Sequence, residues 1–252
     1  NLVCKCMDKN GQLVCVKHIK SKRAERSSEI EILKLLAQEG RSFPSYLGSY
    51  KLGDIVSVMY EYIHGESLTD LIVEKKCRVS EDSLKGVFEQ LAQALARMHS
   101  LGMWHLDVKP DNVMCRNGSL ANIVLIDFGQ SQFPCCPEES LPAHGMGTPG
   151  FVAPDVLAYR RVTATSDTWS YGASLHACLV GYTALPRKAH VSRDNLSEVR
   201  AYLDTEVRPL WAGLSPGCQS LLKSCLNPDT RMSVDKLPSH DWFRQPPASE
   251  QV

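Results

Sequence analysis

Two stretches decide how this chain reads: His105-Leu106-Asp107-Val108-Lys109-Pro110-Asp111-Asn112, and then Ile123-Val124-Leu125-Ile126-Asp127-Phe128-Gly129. A loop with His, Asp two residues on, Lys two after that and Asn three later holds the parts of a phosphoryl-transfer site. The Asp can orient a hydroxyl and accept its proton, the Lys can neutralise a transferring phosphate, and the Asn can hold a metal ion. Asp127 ends an apolar run and is followed closely by a hinge-capable Gly, which suits a Mg²⁺ ligand. Upstream, Val14-Cys15-Val16-Lys17 sets a Lys inside an apolar strand, where it needs a carboxylate or a phosphate. The helix after it supplies Glu29. Each of these pieces alone is a common structural feature; together and in this order they are not.

The chain has 252 residues, 43% of them hydrophobic and 22% charged, with 28 Lys and Arg balancing 28 Asp and Glu. That length supports one large domain or two unequal lobes with real cores and excludes a disordered tail or a small disulfide scaffold. The zero balance gives no electrostatic reason to expect nucleic acid or a membrane surface as partner. No apolar run approaches the roughly 20 residues that span a bilayer. Ten cysteines are present, but no Cys-x-x-Cys and no His at zinc spacing, so buried, reduced thiols are expected rather than a metal site. Cys135 and Cys136 are adjacent. His64, His99, His144, His176 and His190 show no evident partners and read as ordinary surface or core residues.

Residues 2–20 alternate like two strands around Asp8-Lys9-Asn10-Gly11. A helix is expected over about 24–39, then two strands around Lys51-Leu52-Gly53-Asp54. Leu84, Phe88, Leu91, Leu95 and Met98 mark the buried face of a long helix, with Ser80 a candidate cap. Residues 166–180 read as a helix apolar nearly all round, and so central. The expected fold class is α+β, with two lobes over 1–62 and 63–244 and a solvated tail over 245–252.

In its ordered motifs the sequence resembles the eukaryotic protein kinases over nearly its whole length. Gly147-Thr148-Pro149-Gly150-Phe151-Val152-Ala153-Pro154-Asp155 is similar to the end of that family's activation segment, with Asp155 where Glu is usual. Asp167-Thr168-Trp169-Ser170-Tyr171-Gly172 resembles the start of its central helix, and Arg231 the Arg that pairs with the segment's acid. The hinge region around Tyr46–Asp54 and Gly65–Asp70 is most similar to the Ste group.

The resemblance implies a two-lobed kinase fold and an ATP- and Mg²⁺-dependent enzyme acting on protein Ser/Thr. Lys17 would hold the α- and β-phosphates and pair with Glu29, with Glu31 the alternative. Asp107 would be the base, Lys109 would support the γ-phosphate, and Asn112 and Asp127 would bind Mg²⁺. Glu61 and Ile63 would offer hinge backbone groups to adenine, with Tyr60 guarding the back pocket. Leu2, Cys15 and Met114 would line the base, and Asp70 would reach the ribose. His105, Phe128, Gly129, Thr148, Asp155, Asp167 and Arg231 would serve the structural core and the activation segment. Lys109 with Thr148 resembles the serine/threonine rather than the tyrosine branch.

Three departures stand out. The Gly-rich loop would end just before Asn1, so the expectation is that it precedes this chain; the alternative is a type without it. Leu106 stands where many of these enzymes carry Arg, so activity is expected without phosphorylation of the activation segment, Ser131 and Ser140 being the candidate sites. Cys15 replaces an Ala, either as a handle for thiol-reactive ligands or as a small buried residue. A kinase-like scaffold acting through partner binding, and a small-molecule phosphotransferase, are the rival functions. The sequence names no regulatory partner; the cytoplasm is the expected compartment and a secreted effector the alternative.

Overall fold

The computed structural model describes residues 2–25, 27–74, 79–136, 138–143 and 145–245. Strands β1 (Leu2–Met7) and β2 (Leu13–Lys20) form the expected antiparallel hairpin. In its turn Asp8 Oδ1 accepts from the Asn10 and Gln12 amides at 2.8 and 2.7 Å. Gly11 sits there at φ +78°, a conformation glycine adopts without steric cost. The helix expected over 24–39 is shorter and divided, into a turn of helix α1 (Ser21–Ala24) and α2 (Glu29–Leu36). Ser27 Oγ accepts from the Glu29 amide at 3.2 Å, a local bond of the kind that competes with a continuous helix. Helix α2 buries Glu29, Ile32, Leu33 and Leu36.

Strands β3 (Tyr46–Leu52) and β4 (Ile55–Glu61) complete a four-stranded antiparallel sheet of order β1-β2-β4-β3. Its register decides which side chains share the face of Lys17. Lys17 lies opposite Val58, and Cys15 opposite Tyr60. On the other side Val3 faces Lys17 and Lys5 faces Cys15, whereas Leu2 faces His18. Side chains alternate with period two, so Leu2 belongs to the opposite face from Lys17 and Cys15. Val3 takes the place expected for it.

The second lobe opens with β5 (Gly65–Ser67), α3 (Leu68–Glu74) and the long α4 (Glu81–Ser100). Ser80 caps α4 as expected, its Oγ accepting from the Ser83 amide at 3.2 Å. Leu84, Phe88, Leu91, Leu95 and Met98 are all fully buried, each contributing about 2 kcal/mol of transfer free energy. Strands β6 (Val113–Arg116) and β7 (Ile123–Leu125) join β5 in a small sheet. Beyond it come β8 (Leu141–Pro142), α5 (Pro154–Tyr159), β9 (Arg161–Val162), α6 (Ser166–Val180), α7 (Leu196–Tyr202) and α8 (Pro216–Cys225).

Helix α6 is central: Trp169, Tyr171, Ala173 and Leu175 have no exposed surface. Its hydroxyls fit there because their hydrogen bonds are made internally, whereas Trp169 Nε1 and His176 Nε2 are buried without a partner among the described residues. Tyr171 donates to the Phe88 carbonyl at 2.9 Å, and Ser174 to the Ser170 carbonyl at 2.7 Å. The result is an α+β molecule of two unequal lobes, an antiparallel sheet with its helix and a larger helical part. Of the expected solvated tail, residues 246–252 lie outside the described residues, as does His144.

Candidate active site

Residues far apart in sequence meet where the sheet faces the helical lobe. Lys17 Nζ donates to Glu29 Oε1 at 2.5 Å and to Asp127 Oδ1 at 2.7 Å. Glu29, from the buried face of α2, is the partner; Glu31 points to solvent. Burial acts to lower the Lys17 pKa, but the two carboxylates outweigh it and hold the ammonium above its ordinary value. Burial pushes the Glu29 carboxyl up against the opposing pull of Lys17. For Asp127 burial again acts upward, yet Lys17 and the Gly129 amide hold the carboxyl below its ordinary range. Gly129 leaves room for this triad. A Cβ there would lie 3.1 Å from Lys17 Nζ and 3.2 Å from Asp127 Oδ1.

The loop after α4 supplies the second group. Asp107 Oδ1 accepts from Thr148 Oγ1 at 2.6 Å and Oδ2 from Lys109 Nζ at 3.0 Å. Lys109 also donates to Thr148 Oγ1 at 2.7 Å. Asn112 Nδ2 donates to the Asp107 carbonyl at 2.8 Å. His105, fully buried, accepts the Asp107 amide at Nδ1 and donates from Nε2 to the Ile126 carbonyl, both at 3.2 Å. Its ring stands edge-on to Phe128 at 5.5 Å, and Phe128 meets Phe43 at 6.3 Å. His105 and Phe128 thus bind the two motif segments into one core.

Two non-glycine residues here are left-handed, Leu106 at φ +65° and Asp127 at φ +61°. That conformation costs roughly 1 kcal/mol or more and persists only where surroundings over-determine it. For Leu106 they do. Asp167, at the first turn of α6 and fully buried, accepts the His105 amide at 2.8 Å and the Leu106 amide at 2.7 Å. His99 Nε2 bonds the same carboxylate at 2.8 Å. His99 therefore has a partner that the sequence did not disclose, and so does His176, whose Nδ1 accepts from Trp211 Nε1 at 2.9 Å. The one available signal was position: His99 falls in the last turn of α4, just ahead of the loop.

The rest of the expected set surrounds this centre. Tyr60 and Cys15 stand directly cross-strand. Burial pushes both the phenol and the thiol up, so the half-buried Cys15 is a weak nucleophile at neutral pH. Glu61 is fixed from behind: Arg116 donates to it, and its amide goes to the Ser45 carbonyl at 2.9 Å. That clasp was not foreseen. Ile63 is buried, and Met114 is half-buried in β6 opposite Ser67. Asp70 is engaged in the first turn of α3, accepting from Ser67 Oγ at 2.7 Å while its amide donates back at 3.1 Å, a reciprocal cap. Arg231 forks onto Asp155 with bonds of 2.8 and 2.7 Å, so the shorter acid still reaches its partner. Ser131 is 1% exposed and donates to the His105 carbonyl at 3.1 Å, which closes it to a modifying enzyme. Ser140 Oγ accepts from Arg161 Nε at 2.7 Å.

Among the described residues no cluster of three His, Cys, Asp or Glu could hold a metal, and no helix is long and apolar enough to cross a membrane. A hard cation with oxygen ligands fits better. The Asp127 side chain is held ionised and is 45% exposed. Asn112 spends its amide nitrogen on Asp107, which leaves its oxygen to accept. One carboxylate and one amide oxygen, with water and phosphate completing the shell, is a Mg²⁺ donor set.

Comparison with known proteins agrees in extent. The family described as protein kinase domain matches residues 2–243. CBL-interacting protein kinase 21 of Oryza sativa subsp. japonica is 33% identical over 228 residues, 86% of this chain and 40% of that protein. CBL-interacting serine/threonine-protein kinase 15 of Arabidopsis thaliana is 31% identical over 94% of this chain and 56% of its own length. Myosin light chain kinase 2 of Rattus norvegicus is 24% identical over 96% of this chain and 40% of its own length. The chain thus spans about two fifths to a little over half of these relatives. The Ste-group likeness of the hinge gains no support from them.

Proposed function

The chain belongs to the protein kinase family, and from that premise we propose that it transfers the γ-phosphoryl group of ATP to Ser and Thr hydroxyls of proteins. The observation that carries this is a pair of clusters, Lys17–Glu29–Asp127 and Asp107–Lys109–Thr148, joined through Ile126, the neighbour of Asp127, which bonds both His105 and Asn112. A scaffold needs none of these charges, and burying them unused would be costly.

Phosphoryl transfer asks for positioning and charge neutralisation more than covalent chemistry. Lys17, locked between two carboxylates, holds the nucleotide's phosphates. Asp127 and Asn112 would hold Mg²⁺, which when bound neutralises charge on those phosphates. Asp107 orients the acceptor and takes its proton. In support of this role, a threonine hydroxyl, that of Thr148, donates to Asp107 Oδ1 at 2.6 Å. Lys109 stands beside that oxygen pair to support the transferring group. Glu61 and Ile63 offer backbone groups to the base. Following the relatives named as CBL-interacting, the proposal includes a regulatory protein partner.

The test is phosphate transfer from γ-labelled ATP with Mg²⁺ to generic protein acceptors, by this chain beside Asp107→Asn and Asp127→Asn. Transfer by the parent, falling at least about 100-fold in each variant, is the expected result. Absence of both transfer and nucleotide binding would instead favour the scaffold.

A further inference from the structure

Cys135 and Cys136 belong to no part of the mechanism above. A peptide bond holds their Cα atoms about 3.8 Å apart, so the two thiols cannot separate. Both are exposed, whereas Cys115, Cys178, Cys218 and Cys225 are buried and Cys4, Cys6 and Cys15 partly so. The loop that carries the pair is tightly drawn. The Cys135 amide donates to Glu139 Oε2 at 2.5 Å, and the Glu139 amide to the Cys136 carbonyl at 3.1 Å.

The pair also lines a cavity of about 360 Å³ with His99, Trp104 and Val234. Two of those residues lead to the catalytic loop. Trp104 exchanges backbone hydrogen bonds with Gln132, both at 3.0 Å, and His99 bonds the Asp167 carboxylate that fixes His105 and Leu106.

We propose that Cys135 and Cys136 form a reversible oxidation site, closing to a vicinal disulfide in response to a hydroperoxide. One thiolate attacks the peroxide oxygen, the O–O bond breaks, and a sulfenic acid and an alcohol (or water) form. The neighbouring sulfur then attacks the sulfenyl sulfur; the S–S bond forms and hydroxide leaves, taking the thiol proton as water. In sum, two thiols lose two electrons and two protons, and the hydroperoxide becomes an alcohol and water. The resolving thiol is always adjacent, so the sulfenic acid is consumed before further oxidation. Disulfides ordinarily need Cα atoms at least about 4.4 Å apart. The closed ring is therefore strained, and strained, exposed disulfides are the easily reduced ones. Cys4 and Cys6 provide the contrast: two residues apart on an extended strand, about 6.6 Å, they sit at the far end of the disulfide range and are held there by the pairing of β1 with β2.

This site stands independently of phosphotransfer, and mass spectrometry of the folded chain tests it. After brief exposure to hydrogen peroxide the chain should be about 2 Da lighter, and dithiothreitol should restore its mass. The loss should map to one peptide holding both cysteines. Cys135→Ser and Cys136→Ser, both at exposed positions, should each abolish it and leave a sulfenic acid that dimedone traps. Cys4→Ser should not change it. An unchanged mass, a loss mapped to other cysteines, a disulfide between two chains, or separate sulfinic acids on the two thiols would each overturn the proposal.

Discussion

Glu29 and Glu31 differ by two positions in sequence and by everything in surroundings. Glu29 is 3% exposed and 2.5 Å from Lys17, whereas Glu31 faces water. Glu29→Gln should lower phosphotransfer at least about tenfold, because a neutral amide no longer fixes the ammonium that holds the nucleotide. Glu31→Gln should change neither rate nor stability beyond about 0.5 kcal/mol. Steady-state kinetics and thermal unfolding of both variants decide it; equal effects would refute the assignment. The sequence offered both acids at nearly equal spacing. The choice became legible only when helix α2 was seen to start at Glu29 with its buried stripe continuing through Ile32, Leu33 and Leu36.

Helix α6 ties element to site. Its first turn carries Asp167, fully buried, for which burial acts upward but His99 and the loop amides prevail and hold the carboxyl below its ordinary 3.8. The sign follows: a depressed folded pKa gives stability that is present above about pH 4 and lost as pH falls through the folded value. Asp167→Asn should therefore cost about 3 kcal/mol at neutral pH and flatten that acid limb. One turn from its end, burial pulls His176 from 6.5 down to about 4, so the ring is neutral and accepts from Trp211. Its contribution is present above pH 6.5 and is lost as pH falls through about 4. His176→Gln keeps an acceptor for Trp211 and should remove that slope. Denaturant unfolding across pH 3–8 checks both, and an unchanged profile in either variant would contradict the account. The apolar character of α6 was plain in the sequence. Its two buried titrating groups were not, since their partners come from α4 and from Trp211, 35 residues downstream.

Across the whole molecule, the activation segment is held without the usual Arg before Asp107. Asp167 fixes the backbone at Leu106, Ser131 is bonded inside, β8 pairs β9, and Arg231 grips Asp155. Phosphatase treatment should accordingly leave the transfer rate within about twofold, because among the described residues no phosphate-dependent ion pair orders this segment. A large loss traced to Ser140, beside Arg161, would show otherwise. By itself the sequence determined the two-lobed α+β fold and the kinase family. Strand alternation, the spacing of Leu84 to Met98, and the order of Lys17, Asp107, Asn112 and Asp127 are local patterns, and local geometry is written in residue spacing. Only the tertiary structure decided that Leu2 faces away from Lys17, that His99 holds Asp167, that Arg116 clasps Glu61 and that Cys135 and Cys136 share a cavity with Trp104. Those contacts depend on strand register and on helices packed across long sequence separations, which no local period encodes.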